Sequence, residues 1–186
     1  MTPQQKADGV KEKHDIRFTQ LMKEAMKQLS LPRNFQWRAE RMLEITNELT
    51  SFVEPVTPCK KGCSHCCYQT IIISSWEAER IAQKTGKKIA EFKGYNPETD
   101  DKEELKDRYT GQPCIFLVNN ECSIYEVRPV ICRTHLSVAD DSTPCDIINN
   151  PNAKVPYFNF GELNMLQGIL FVQEGCKFGD IREFFK

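Results

Sequence analysis

Four of the chain's nine cysteines fall within nine consecutive positions, Cys59, Cys63, Cys66 and Cys67 in the run CKKGCSHCC. Three more, Cys114, Cys122 and Cys132, lie in CIFLVNNECSIYEVRPVICRTH, with Cys145 and Cys176 beyond. The sequence around these thiols is irregular, and irregular loops bury too little apolar surface to hold themselves. A metal bound by the thiols is therefore expected to supply much of the folding free energy of this region. The odd count of nine argues weakly against a closed set of disulfides.

A length of 186 residues sets a prior of one domain, and 40% apolar residues suffice for an ordinary packed core. No stretch approaches the roughly 20 apolar residues of a membrane span, and the N-terminal MTPQQKADGVKEKHDIRF has no apolar secretory core. The chain reads as soluble and cytoplasmic. In a reducing compartment clustered cysteines are more often metal ligands or redox groups than bridges. The net charge of −1 leaves no seat for nucleic acid. Lys60 and Lys61, beside the first cluster, read as a solvated loop.

Periodicity places Ile16, Phe18, Leu21, Met22, Ala25, Met26 and Leu29 on one side of an amphipathic helix over residues 11–30, which Pro32 stops. Asn34 then caps a second helix, NFQWRAERMLEITNELTSFV. Residues 1–54 are thus a helical hairpin, read as a packing support for the rest of the chain. Pro55 and Pro58 bracket an extended entry into the cysteine loop. After the apolar run TIII, Ser74 and Glu77 form a capping-box signature for a helix ending near Gly86. Asp100 to Tyr109 is a candidate short helix.

Two β-prone runs around Asn119-Asn120 predict a hairpin, with Cys114 and Cys122 toward its opposite ends. Pro129 starts a turn or helix containing Cys132. Residues 137–158 read as loop with a turn at Cys145, and Phe160 to Gly175 as a last helix. The expected fold is mainly α with a short β-hairpin, a small single domain organised around a cysteine-ligated metal site. Residues 55–150 form the metal-binding core, and 151–186 complete the same domain.

Spacings of two or three residues bring thiolates within the roughly 2.3 Å bonding distance of zinc on a tight loop. Cys59, Cys63 and Cys66 fit, with Gly62 permitting a sharp bend. Adjacent side chains tend to diverge, so Cys66 and Cys67 either serve two metals or leave one thiol spare. A structural zinc site needs four ligands, and eight candidates are present: Cys59, Cys63, Cys66, Cys67, Cys114, Cys122, Cys132 and Cys145. Eight suit two four-thiolate sites, or one iron–sulfur cluster with redox-active or structural neighbours. Thiolates serve zinc and iron–sulfur clusters alike, so ligand type leaves both open.

His65 and His135 are placed to ligate or to hydrogen-bond a sulfur, while the roles of these histidines and of Cys176 stay open. Arg128 and Arg133 are candidates to screen thiolate charge, and Glu126 to partner a guanidinium. The rival reading is a cluster-dependent enzyme with Tyr125, Glu126, Arg128 or His135 near an open metal position. A third is metal storage or sensing, in which Cys67, Cys145 and Cys176 exchange metal with a partner.

CKKGCSHCC, then PCIFL, then ECSIYEVRPVICR, in this order, resemble the YkgJ-type cysteine cluster proteins, the CxxCxxCC family of zinc- or iron-chelating domains. The resemblance covers roughly Cys59 to Cys145. It implies chelation by Cys59, Cys63, Cys66, Cys67, Cys114, Cys122 and Cys132, with no reaction implied. The first spacing departs from the family pattern: CKKGC holds three intervening residues where the family name has two. Some proteins resembling this family are labelled flagellin N-methylases, which raises lysine methyl transfer as an enzymatic possibility. No glycine-rich strand-to-helix turn is present to seat a nucleotide-like methyl donor. A radical SAM reading of CxxxCxxC fails because the chain lacks the repeated βα units of a barrel. The expected partners are metal ions and, through segments outside the resemblance, a protein.

Overall fold

Thr2 and Pro3 start the first helix at residue 3 rather than at the expected residue 11. The Thr2 side chain accepts from the Gln5 amide, the Gln5 side chain accepts from the Thr2 amide, and Pro3 occupies the first turn, where its missing N–H costs nothing. The computed structural model describes residues 1–91, 94–95 and 108–185. In chain order its elements are α1 (Pro3–Lys27), α2 (Phe35–Val53), β1 (Ile72–Ser74), α3 (Ser75–Thr85), β2 (Leu117–Val118), β3 (Glu121–Cys122), α4 (Val130–Thr134), α5 (Gly161–Gln173), β4 (Phe178–Asp180) and α6 (Ile181–Phe184). Short 3-10 turns lie at Glu54–Val56, His65–Tyr68, Tyr125–Val127 and Thr143–Cys145. The fold is mainly helical with two small antiparallel sheets, β1–β4 and β2–β3. The helix expected over Asp100–Tyr109 lies, but for its last two residues, outside the described residues. No helix among the described residues is long and apolar enough to cross a membrane.

The chain divides into two compact units. The first comprises Met1–Cys59, Arg133–Asp141 and Val155–Gly175. Here α1, α2 and α5 pack on one another, burying Leu21, Ala25, Met42, Ile45, Leu49, Leu163, Leu166 and Leu170. Asn34 caps α2 as expected, its side chain accepting from the Trp37 amide at 2.9 Å. Inside this core Gln167 donates to Thr46 Oγ1 at 2.9 Å, and the guanidinium of Arg38 pairs with Glu174 and donates to the Gln28 carbonyl at 3.1 Å. The segment after α4 runs beside residues 156–158: Val138 donates to the Pro156 carbonyl and Phe158 to that of Leu136.

The second unit comprises Lys60–Cys132, Ser142–Lys154 and Cys176–Lys186. Its core is Ile71, Ile73, Ala78, Ile81, Phe116, Ile124, Ile181, Phe184 and Phe185, with Cys114, Cys122 and Cys132 packed against it. The expected α3 forms with both halves of its capping box, and Gly86 ends it at φ +70°, a left-handed conformation that suits glycine. The expected hairpin also forms, though each strand is only two residues long. Asn119 and Asn120 take positive φ of 50° and 64°, the pattern of a type I′ turn. β1 finds a partner the sequence reading did not foresee: β4, in the register Ile72 to Asp180 and Ser74 to Phe178.

Glu77 ties α3 to the helix that carries Cys132. One carboxylate oxygen accepts from the Ser74 amide at 2.8 Å and hydroxyl at 2.9 Å, while the other accepts from the Val130 amide at the start of α4, at 2.8 Å. Burial pushes its carboxyl up, and these hydrogen bonds oppose the shift. Glu77→Ala strands two buried amides, so the expected loss is about 3 kcal/mol in urea unfolding. Glu77→Gln, which keeps an acceptor oxygen, loses less; equal losses would show that hydrogen bonding is not what the side chain contributes.

Candidate metal centre

The cysteine loop begins with a β-turn in which the Cys63 amide donates to the Lys60 carbonyl at 3.0 Å and Gly62 sits at φ +92°. This is the bend that Gly62 was expected to allow. The chain then enters the 3-10 turn His65–Tyr68, which carries Cys66 and Cys67. Two hydrogen bonds attach this turn to the segment before β2: Gly111 donates to the Tyr68 carbonyl at 2.8 Å and Cys114 to the Cys67 carbonyl at 2.7 Å. Cys132 arrives on α4, held at its first residue by Glu77.

Six thiols of the second unit thereby form one linked group, each within electrostatic reach of at least one other: Cys63, Cys66, Cys67, Cys114, Cys122 and Cys132. They come from the first cysteine loop, from the hairpin some fifty residues on, and from α4 ten residues after it. Cys114 and Cys122, expected at opposite ends of the hairpin, act on each other, because strands of two residues cannot separate them. Three sulfurs share a local arrangement. At Cys63, Cys114 and Cys122 the backbone amide two positions on, that of His65, Phe116 and Ile124 respectively, favours the thiolate. A hydrogen bond to the charged form has this effect.

Burial works the other way. It pushes the Cys114 thiol up to about 11 and raises Cys63 and Cys122. Cys132 is pushed well up by burial, with the neighbouring charges of Cys66, Cys114, Cys122 and Glu77 adding to it. Cys66 and Cys67 do not diverge: their side chains hydrogen-bond, which lowers Cys66, the acceptor, and raises Cys67, the donor.

Arg128 lies over the Tyr125 ring, 3.9 Å from its centroid, and its charge favours the thiolates of Cys66 and Cys122. Lys60 acts likewise on Cys63. Glu126 pairs at the surface with Lys84 at 3.4 Å. His65 lies close enough to Asp146 for its charge to favour that carboxylate. Cys145 is buried at the end of the turn Thr143–Cys145, and Cys176 is half-buried where the chain approaches β4.

The sequence reading missed Arg182, on α6. Its guanidinium donates to the carbonyls of Cys67, Gln69, Gln112 and Pro113, and to Asp180. The only sequence signal nearby is the capping box Asp180 to Glu183 that starts α6.

Cys59, Arg133 and His135 belong to the first unit. The Cys59 Sγ accepts from the Ser137 amide at 3.4 Å, and Arg133 donates to the Asn47 side chain at 3.0 Å. The His135 ring packs on Tyr157 with centroids 4.0 Å apart, and its Nε2 is buried without a hydrogen-bond partner.

Among the described residues no group of three or more His, Cys, Asp or Glu side chains already stands in a metal-holding arrangement. The six thiols are neighbours, not a finished ligand set. Their chemistry nonetheless suits a soft or borderline cation: thiolates select zinc and iron–sulfur centres, and a cation relieves the repulsion that crowding imposes on them. No disulfide joins any of the nine cysteines. A family model for CxxCxxCC, described as a putative zinc- or iron-chelating domain, matches residues 58–154, just over half of the chain. Comparison with curated proteins and with solved structures gave no match.

Burial lowers His135 from 6.5 to about 4. The unfolded chain therefore binds a proton that the folded chain resists. The group contributes no penalty above pH 6.5, and stability falls as pH drops from there toward 4, by up to about 3 kcal/mol. In His135→Phe this part of the pH dependence should vanish from urea unfolding curves of the metal-free protein; an unchanged slope would place its origin elsewhere.

Proposed function

The chain belongs to the CxxCxxCC family, and from that premise we propose that it is a metal-chelating protein holding zinc or iron through cysteine thiolates of its second unit. The observation that carries this reading is the gathering of six thiols from three segments, held together by the Cys114-to-Cys67 and Gly111-to-Tyr68 backbone bonds and by Glu77, with backbone amides favouring the thiolate at three of them. Amides aimed at sulfur have their full effect only when the sulfur is ionised, and a ligating thiolate is ionised.

Cys63, Cys66, Cys67, Cys114, Cys122 and Cys132 are the proposed ligand pool. Four complete a tetrahedral zinc site or hold an iron–sulfur cluster. The hydrogen-bonded pair Cys66 and Cys67 then supplies either a ligand and a donor to it, or two ligands. A bound ion supplies positive charge among the sulfurs and cross-links the three segments. Arg128 offsets part of the remaining negative charge, since a zinc ion with four thiolates carries a net negative charge. Cys59 and Cys145, in the wider set of eight, are assigned outside this pool. The chain's own residues thus gather, orient and partly ionise the thiols, and the reading assigns no catalytic step.

Anaerobic purification with metal analysis and a visible spectrum tests this directly. Iron with acid-labile sulfide and a brown colour identifies a cluster; colourless protein with stoichiometric zinc identifies a mononuclear site. Saturation a thousandfold above Kd contributes about 4 kcal/mol, so a chelator should lower the melting temperature by about 8–16 °C. Cys132→Ser and Cys114→Ser should abolish that difference, while Cys176→Ser should leave it intact. Protein that takes up neither metal, or melts identically with and without chelator, would sink the proposal.

A further inference from the structure

Arg182 sits in α6, beyond residues 58–154 and fifty residues after Cys132, yet every nitrogen of its guanidinium is engaged and its side chain is only 7% exposed. Nη2 donates to the carbonyls of Cys67 at 3.4 Å, Gln69 at 3.1 Å and Gln112 at 2.7 Å, and Nε to that of Pro113 at 3.2 Å. Nη1 lies 2.9 Å from both oxygens of Asp180. Asp180 is fully buried and is itself fixed, accepting from the Ile71 amide at 2.7 Å and the Arg182 amide at 2.8 Å.

Two cysteine-bearing stretches converge on this one side chain. Cys67 and Gln69 belong to the stretch leaving the first thiol loop, and Gln112 and Pro113 lead into Cys114. Between them run the Cys114 to Cys67 and Gly111 to Tyr68 backbone bonds. The guanidinium extends that short ladder sideways, joining the Cys67 and Gln69 carbonyls to those of Gln112 and Pro113. Its charge also favours the Cys114 thiolate. A planar fork with five donors can serve carbonyls on two segments at once; an ammonium, a point charge with three donors, cannot span them.

We infer that Arg182 is a positioning residue of the thiol site: it holds the Cys67 and Cys114 segments at the separation that lets their sulfurs face one metal. This rests on the metal-chelating reading above and adds that the centre is completed from outside the cysteine-rich region. The segment Cys176–Phe185 is part of the site although it brings no sulfur to the pool. The groups that orient metal ligands typically matter 10- to 100-fold for metal affinity.

The test uses the full chain, wild type and the variants Arg182→Lys and Arg182→Gln, titrated with Co(II) and then displaced with Zn(II) in competition with a chromophoric chelator. Wild-type protein should show intense sulfur-to-cobalt charge-transfer bands. In Arg182→Gln, zinc affinity should fall about 10- to 100-fold, and the charge-transfer intensity per bound cobalt should also fall, because fewer sulfurs reach the ion. Arg182→Lys keeps the charge and the pairing with Asp180 but loses the fork, and it should resemble Arg182→Gln more than wild type.

A side chain that merely supports the fold would reduce the fraction of protein able to bind while leaving the spectrum per bound ion untouched. That result overturns the inference, as does affinity within twofold of wild type in both variants. If Arg182→Gln does not fold, Arg182→Lys decides by the same two readings. Wild-type protein that binds neither ion overturns the metal-chelating reading itself, an outcome distinct from wild-type binding with unaffected variants.

Discussion

The buried pair of Asp180 and Arg182 is the interaction on which the second unit depends. A buried ion pair is ordinarily weak support, because desolvation offsets much of its attraction. Here the two groups also satisfy the polar atoms around them. Asp180 takes the amide that leads into β1 and starts α6, while Arg182 takes four carbonyls from the two stretches that carry Cys67 and Cys114. The apolar core, from Ile71 to Phe185, gives the unit mass. The pair gives its irregular loops a definite place.

Glu77 does the same work on the other side. Its carboxylate caps α3 and at the same time receives the first amide of α4. Each of the three thiol segments is therefore anchored by polar contacts that do not involve sulfur. This leaves the sulfurs crowded, partly buried and mutually repelling once ionised, with amides and Arg128 supplying part of the compensation. A cation among them would relieve that repulsion.

Local signals in the sequence were legible wherever the structure answers to local rules. Asn34 before α2, Ser74 and Glu77 around α3, Gly86 after it and the Asn119-Asn120 turn all act within four residues of themselves. The early start of α1 was legible too, in Thr2, Pro3 and Gln5, but the apolar stripe that begins at Ile16 drew the boundary inward. The pairing of β1 with β4 was not, since Phe178–Asp180 is three residues long, contains a glycine and meets a partner about a hundred residues away. The cysteines announced the chemistry without their grouping. Nothing in the spacing of Cys114 and Cys122 says that the strands between them shrink to two residues each. Nor can spacing show that Arg182 reaches back to Gln69.

That long reach sets an order in time. A ribosome makes all six thiols of the proposed pool before it has made Arg182, and domains generally take shape from the N-terminal side as they emerge. For that interval the loops bearing Cys67 and Cys114 lack the side chain that gathers them. The nascent protein thus carries these sulfurs on loops that no guanidinium yet joins, and their final grouping waits on a side chain made fifty residues after Cys132.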